Sequence, residues 1–229
     1  MNTSLSKQEI FSYIRDLIKY NFPDNNNIND SSLKIMVNAG LDRLEYSFSN
    51  VKDKYFCEND IPLFNHLNSD HMVVLLYYIA NSGFKLDYER TNLEKIYYLN
   101  KLMHSVDIFY SVNLPNIFCV AHPLNTILGH AKYDDYLYVY QNVTVGSTDE
   151  GIYPNLGKGV ALYSNTSIIG NCNIGNNVVM TANSTIINQN IPNDSMVTGY
   201  YPNNRIIDNK KHVINRLFNV GAQYEEKRS

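Results

Sequence analysis

Six histidines are the side chains of this sequence best suited to moving a proton near neutral pH. His122 precedes Pro123, and Asp107 stands fifteen residues before it. His130 has Asp134 and Asp135 close behind it, which makes it a second candidate base. His104 falls at the end of an apolar periodic segment, where capping and the helix dipole favour a histidine. His66, His71 and His212 read as structural or solvated. The histidines lack metal-ligand spacing, so no zinc site is expected. Cys57, Cys119 and Cys172 are odd in number and widely spaced, with no CxxC, so no disulfide framework is expected either.

The chain that positions these groups has 229 residues, enough to bury a real core in one domain or two. Hydrophobic residues make up 44% and charged residues 18%, the balance of a folded globular protein. A formal charge of -3 gives no general attraction to nucleic acid or anionic lipid. The opening MNTSLSKQEI lacks the basic and apolar regions of a secretion signal, and Met72 to Ala80 is too short to cross a bilayer. A cytoplasmic protein with no membrane span is the expectation, and unpaired cysteines agree with it. Nineteen tyrosines, no tryptophan and abundant asparagine are usage that coding bias explains as readily as function.

Residues 1–104 read as a helical region. Ser6 with Glu9 forms a candidate capping box ahead of Ile10, Ile14, Leu17 and Ile18, and Pro23 with the following asparagines ends that helix. Leu33, Val37, Leu41 and Leu44 mark a second helix, and Met72 to Ile79 a third. Thr91 with Glu94 suggests another capping box, opening a helix whose apolar side is Leu93, Ile96, Tyr97, Leu99 and Leu102.

Beyond residue 126 the period becomes six. Ile127, Tyr133, Val139 and Val145 form one run; after an interruption from Ser147 to Asn155, Leu156, Leu162, Ile168, Ile174, Met180 and Ile186 form another. The fifth residue of each hexad tends to be small or β-branched: Ala131, Val143, Val160, Thr166, Cys172, Val178 and Ser184. Short strands that turn after every hexad close a triangular coil of about 18 residues, with the aliphatic residues pointing inward and stacking on their copies. Gly157, Gly170, Gly175, Asn171, Asn176 and Asn183 suit tight turns that need positive φ. The expected organisation is a helical region over 1–104, a parallel β-helix over 105–207 and a C-terminal helix or tail over 208–229.

The strings VDIFYSVNLPNIFCVAHPLNTILG (106–129), YQNVTVGSTDEGIYPNLGKGV (140–160), SIIGNCNIGNNVVMTANSTI (167–186) and IPNDSMVTGYYPNNRII (191–207) resemble the serine acetyltransferase branch of the hexapeptide acyltransferases. The resemblance covers a little under half the chain and implies a left-handed coil. It places the family's catalytic histidine on His122 and its orienting aspartate on Asp107, with the fifteen-residue gap the family shows. On a coil of about 18 residues such a gap can bring the two together. It implies acetyl-CoA as co-substrate, with the acyl donor lying along Gly146, Ser147, Ser164 and Ala182. The closing element falls on Tyr200, Tyr201 and Pro202, and Arg205, Lys210 and Lys211 would meet phosphates; the other reading of these basic residues is a solvated tail. Backbone N–H groups near Gly146 would stabilise an oxyanion. It further implies a homotrimer with the donor groove between subunits, and the helical region could join two trimers.

The chemistry agrees in outline. A hydroxyl needs a base to attack a thioester, and a neutral imidazole oriented by a carboxylate supplies one. The departures from the family fall on the acceptor side. Its aspartate before the histidine is Ala121 here, and its arginine-histidine pair before a proline is Ile152-Tyr153 before Pro154. Charge-assisted bonds to a free amino acid are worth about 1.5–3 kcal/mol each, and two of them are missing. Tyrosine offers a flat ring with a polar edge, which suits a sugar. The expectation is therefore O-acetylation of a sugar hydroxyl of a surface polysaccharide or its precursor. Serine O-acetylation and a non-catalytic trimeric scaffold are the alternatives. The sequence ends EEKRS, without the terminal isoleucine with which family members dock the sulfhydrylase of cysteine synthesis.

Overall fold

The fold is that of a computed structural model, which describes residues 1–219. A helical layer comes first. It contains α1 (Lys7–Asn21), α2 (Asp30–Ser49), α3 (Ser69–Lys85) and α4 (Arg90–His104), with a small sheet of β1 (Asn2–Thr3), β2 (Cys57–Glu58) and β3 (Ile61–Phe64). The expected capping box forms: Ser6 Oγ accepts from Glu9 N at 3.3 Å, and the Glu9 carboxylate accepts from Ser6 N at 2.8 Å. Leu33, Val37, Leu41 and Leu44 are fully buried on α2 as their spacing predicts. From Met72 to Ala80, α3 is buried all round, because it runs between α2 and α4.

α4 departs from expectation in three ways. It starts at Arg90 with Glu89 at the N-cap, so Thr91 already lies inside the helix; Glu94 pairs with Arg90 at 2.8 Å instead of closing a capping box. Leu102 is 50% exposed, and the buried stripe continues through Asn100 and His104. Polar residues can occupy that stripe because their bonds are made inside it. Asn100 Nδ2 donates to Val73 O at 3.0 Å, and His104 Nδ1 lies 2.7 Å from Asn100 Oδ1. Burial pulls the His104 pKa down to about 4, so the ring is neutral at pH 7 and no dipole stabilisation of a cation arises.

The second half is a left-handed parallel β-helix, as expected, with three faces. The first face stacks β4 (Phe118–Val120), β7 (Leu137–Val139), β10 (Ala161–Leu162), β13 (Val179–Met180) and β15 (Ser195–Thr198), and antiparallel β16 (Arg205–Asp208) closes it. The second face stacks β5 (Ile127–Leu128), β8 (Thr144–Gly146), β11 (Ser167–Ile169) and β14 (Thr185–Ile187). The third stacks β6 (Lys132–Tyr133), β9 (Asn155–Leu156) and β12 (Asn173–Ile174), and the short α5 (Val213–Leu217) follows the coil. All seven small residues at the fifth hexad position are buried, as the hexad reading requires.

Ile127 breaks the inward row. It is 44% exposed, while Leu128 at 1% sits opposite Val145. The first corner takes six residues in later coils, from Val139 to Val145, Leu162 to Ile168 and Met180 to Ile186. In the first coil it takes eight, from Val120 to Leu128. Leu128 to Tyr133 then takes five residues where Ile168 to Ile174 takes six, so counting back by six from Tyr133 lands one residue short of the inward position.

The asparagines have structural work that composition did not reveal. Asn142, Asn165 and Asn183 occupy the same corner at φ 56°, 61° and 63°, and their amides link coil to coil at 2.8 and 2.9 Å. Asn155 and Asn173 begin a second ladder at 3.0 Å. Asparagine suits both demands, since it tolerates left-handed backbone and its amide donates and accepts at once. Of the turn glycines, Gly170 has the expected positive φ of 80°. Gly157 does not; a Cβ there would lie 2.9 Å from the Gly175 carbonyl carbon, so close stacking is what demands glycine.

The helical layer caps the first coil. Ser47 Oγ donates to Phe118 O at 2.9 Å, and the Tyr77 and Tyr78 rings lie 5.8 and 5.4 Å from the Phe118 ring. An end of a stacked array needs such a cap because it has no further repeat to cover it.

His104 gives the fold a pH dependence with a definite sign. Its folded pKa of about 4 lies below the unfolded value of 6.5, so the unfolded state binds the extra proton and stability falls as pH drops from 6.5 to 4. Urea midpoints measured across that range should show a loss of about 3 kcal/mol that His104→Gln does not suffer. His71, buried and also shifted down, contributes in the same direction and leaves a residual slope in the variant.

Candidate active site

His122 stands in the widened first corner, just after β4, with its side chain exposed and its backbone at φ 53°. Left-handed backbone costs a non-glycine residue about 1–2 kcal/mol. Such strain collects at functional positions when the surrounding structure enforces it. Enforcement is visible on both sides: Ala121 N donates to Val139 O at 2.8 Å, and buried Thr126 donates from Oγ1 to Tyr140 O at 3.1 Å. The imidazole lies 6.3 Å from the Tyr140 ring, which stacks on Tyr163 at 5.0 Å and 14°. It has no hydrogen-bond partner among the described residues.

Asp107 enters the coil beneath the second face. Its N–H donates to Thr126 O at 2.8 Å, and its carbonyl accepts from Leu128 N at 3.0 Å. Its carboxylate turns to α4 and not to His122: Tyr97 Oη donates to Oδ1 at 2.7 Å and Lys101 Nζ to Oδ2 at 2.7 Å. Burial pushes the Asp107 pKa up, but the Lys101 and Tyr97 bonds outweigh it and hold the carboxyl below its ordinary range.

A second group gathers at the other end of the same face. Gly146 closes β8, and Ser147 opens the loop that interrupts the hexads. Tyr153, at the end of that loop, packs on Gly129, where a Cβ would meet its Cε1 at 2.7 Å. The His130 ring lies 6.1 Å from Tyr153, and its Nε2 lies 2.8 Å from Ser111 Oγ. The partner of His130 is thus Ser111. Asp135 accepts from Ile117 N at 3.0 Å and Asp134 from Asp135 N at 2.8 Å, so neither carboxylate serves His130.

The other expected positions divide between places. Ser164 and Ala182 follow the last inward residue of their coils by two, as His122 follows Val120, and so lie along the His122 corner. Tyr201 N donates to Thr185 O at 3.0 Å, which sets Tyr201 and Pro202 at the far end of the second face. Arg205 begins exposed β16, paired to Thr198, and Lys210 and Lys211 are exposed beyond it. Ala121 is buried beside His122. The C-terminal residues 220–229, including the EEKRS ending, lie outside the described residues. Sequence reading missed the Tyr97–Lys101–Asp107 cluster; its signal was two polar residues four apart on one helix, shortly before the aspartate. Among the described residues no group of three or more His, Cys, Asp or Glu could hold a metal ion, and no helix is long and apolar enough to cross a membrane.

No protein-family model matches the sequence. The serine acetyltransferase of Synechococcus elongatus is 29% identical over 106 residues, covering 44% of this chain and 43% of the relative. That of Staphylococcus aureus strain Mu50 is 25% identical over 105 residues, covering 44% and 49%. The chain thus matches less than half the length of these curated relatives. Among solved structures, serine acetyltransferase from Brucella abortus aligns over 89% of this chain and 84% of its own, with TM-score 0.67 and 14% identity. The Neisseria gonorrhoeae enzyme aligns over 86% and 73%, with TM-score 0.57 and 18% identity. The molecule is a hexapeptide-repeat left-handed β-helix protein. At superfamily level its sequence and fold are similar to those of serine acetyltransferases.

The left-handed corner makes its own forecast. His122→Asn should leave the melting temperature nearly unchanged, because asparagine accepts this backbone. His122→Val should destabilise by about 1–2 kcal/mol, read from urea denaturation, because a β-branched side chain does not.

Proposed function

We propose that this protein is an acetyl-CoA-dependent O-acetyltransferase in which His122 is the general base. The observation that carries the reading is an exposed imidazole on strained backbone at the widened corner of the coil. Relationship to the serine acetyltransferases supports it, and one Brucella abortus neighbour of this fold was solved in complex with Coenzyme A. His122 takes the proton of the acceptor hydroxyl, and the alkoxide attacks the thioester carbonyl. The tetrahedral oxyanion, stabilised by backbone N–H groups near Gly146, collapses and expels the CoA thiolate, to which His122 returns the proton. The resemblance gives the orienting role to Asp107, but its carboxylate is bonded to Tyr97 and Lys101 of α4, so in this reading His122 acts without a bond from it. Gly146, Ser147, Ser164 and Ala182 line the donor's path; Tyr201, Pro202 and Arg205 meet its nucleotide end. Binding between subunits of a homotrimer would bring the two ends of the second face together across an interface.

The sequence alone favours a sugar acceptor. The curated relatives, all serine acetyltransferases, favour serine, and serine O-acetylation is the better-supported reading. The sugar reading stands second on one observation: Ala121 is buried and apolar, and Tyr153 lies as a ring between Gly129 and His130, where the resemblance implies charged groups. Thiol release from acetyl-CoA, measured with L-serine and with a panel of glycosides and nucleotide sugars, separates the two. L-serine should support turnover with a high KM, reflecting the missing charges; turnover with sugars alone would establish the second reading. His122→Asn should lower the rate by roughly 10²–10⁴-fold with the best acceptor. Normal turnover by that variant would remove His122 from the mechanism.

A further inference from the structure

We propose that Tyr140 and Tyr163 form an aromatic wall beside His122 that binds the acceptor, and that the acceptor it fits is a pyranoside-like ring. The inference rests on the reading of His122 as general base and bears on the choice between acceptors.

Val120, Val139, Leu162 and Met180 point into the coil one above another, each fully buried. Side chains alternate across a strand. The next residue of each coil, namely Ala121, Tyr140, Tyr163 and Thr181, therefore turns to the outer side of the first face. The ladder continues through this column: Ala121 N donates to Val139 O at 2.8 Å, Tyr140 N to Leu162 O at 2.9 Å and Tyr163 N to Met180 O at 3.0 Å. The two tyrosines are thus held one coil apart, and their rings stack at 5.0 Å and 14°. Tyr140 also lies 5.2 Å from the buried Tyr138 ring. Both members of the stack are partly exposed. Among the described residues Tyr163 Oη has no hydrogen-bond partner.

Stacking of the coil does not itself demand rings here, since Ala121 and Thr181 fill the same column in the coils on either side. The rings stand in the two coils that follow the one carrying His122, and Tyr140 lies 6.3 Å from the imidazole. A hydroxyl must come within about 3 Å of that imidazole to give up its proton. The carbon skeleton bearing the hydroxyl then falls within reach of Tyr140. The proposed donor path occupies the neighbouring column, through Ser164 and Ala182, so the wall and the path run side by side. Tyrosine offers a flat apolar ring with a polar tip. Its complement is a ring with C–H groups on its faces and hydroxyls at its rim, which a pyranoside has. L-serine, with two charges on three carbons, gains little from two neutral rings.

The test uses the full chain. Saturation-transfer NMR with methyl glucoside, methyl galactoside and methyl N-acetylglucosaminide should show transfer to the ring protons of at least one. Tyr140→Ala and Tyr163→Ala should lose that signal, and Tyr140→Phe should keep it. Thiol release from acetyl-CoA should show the KM for that glycoside raised roughly tenfold in each alanine variant, with the KM for acetyl-CoA unchanged. His122→Asn, measured alongside, should keep the saturation transfer while losing turnover. If His122→Asn is inactive but the alanine variants bind the glycoside like wild type, the wall is overturned and the mechanism stands. Normal turnover by His122→Asn removes the mechanism and with it the acceptor role of the wall. A rise in the KM for acetyl-CoA instead would assign the rings to the donor and overturn the proposal. Absence of saturation transfer from every glycoside, with L-serine turned over equally by all the tyrosine variants, would overturn it too.

Discussion

The stacking of one coil on the next at constant register is the constraint from which the rest of the molecule follows. Leu162, Ile168 and Leu156 each sit in register with a residue 18 positions later, namely Met180, Ile186 and Ile174. Fully burying a side chain of this size is worth about 1.5–3 kcal/mol, and the gain repeats along every inward row only while each corner keeps its length. Register therefore forbids insertions nearly everywhere. It is relaxed in two places: the first corner, between Val120 and Leu128, and the second, where Val145 to Leu156 spans eleven residues against six from Ile168 to Ile174. The first departure carries His122; the second carries Ser147 and Tyr153. The candidate site residues thus gather where the repeat is interrupted, because extra backbone there can present a side chain without disturbing a stack.

The same logic explains the polar composition of the corners. A turning backbone exposes groups that the parallel ladder cannot pair, and left-handed corners exclude most residues. Asparagine meets both requirements, so ladders such as Asn142–Asn165–Asn183 run along the edges while aliphatics run along the inside. An abundance of asparagine that looked like coding bias is, in this half of the chain, a consequence of the coil.

Legibility in the sequence follows from how local each feature is. Six-residue spacing is a local property, so the coil and its inward rows could be read directly. The slip at Ile127 could not, since the one-residue shortening between Leu128 and Tyr133 has no compositional mark. Ser6–Glu9 was readable as a cap because both residues flank a helix start; Thr91–Glu94 has the same pattern, but the helix begins at Arg90. His104 looked like a helix-end cation and is a buried neutral ring, because packing of α4 against α3 decides its solvation. Asp107 was nameable through resemblance to a family, whereas its partners Tyr97 and Lys101 depend on how a helix meets the coil. Contacts between elements are what a periodicity cannot announce.

That distinction also accounts for the uneven footing of donor and acceptor. Under the proposed reading, a long thioester donor would be met largely by backbone at corners and strand ends, and those are set by register. They survive substitution so long as the coil survives, which is consistent with a fold shared over 89% of this chain at 14% identity. Acceptor choice rests on a few side chains, and function resides in such sites more than in the fold that carries them. Relative to the family it resembles, this chain lacks one carboxylate and one arginine at the acceptor side, at Ala121 and Ile152. Losing one of each sign leaves the local charge balanced. A neutral polyol would meet nearly the same field as before, while a zwitterion would lose both of its anchors together. Under the proposed reading, the cost to serine would therefore be concentrated in binding and would leave the proton transfer at His122 intact.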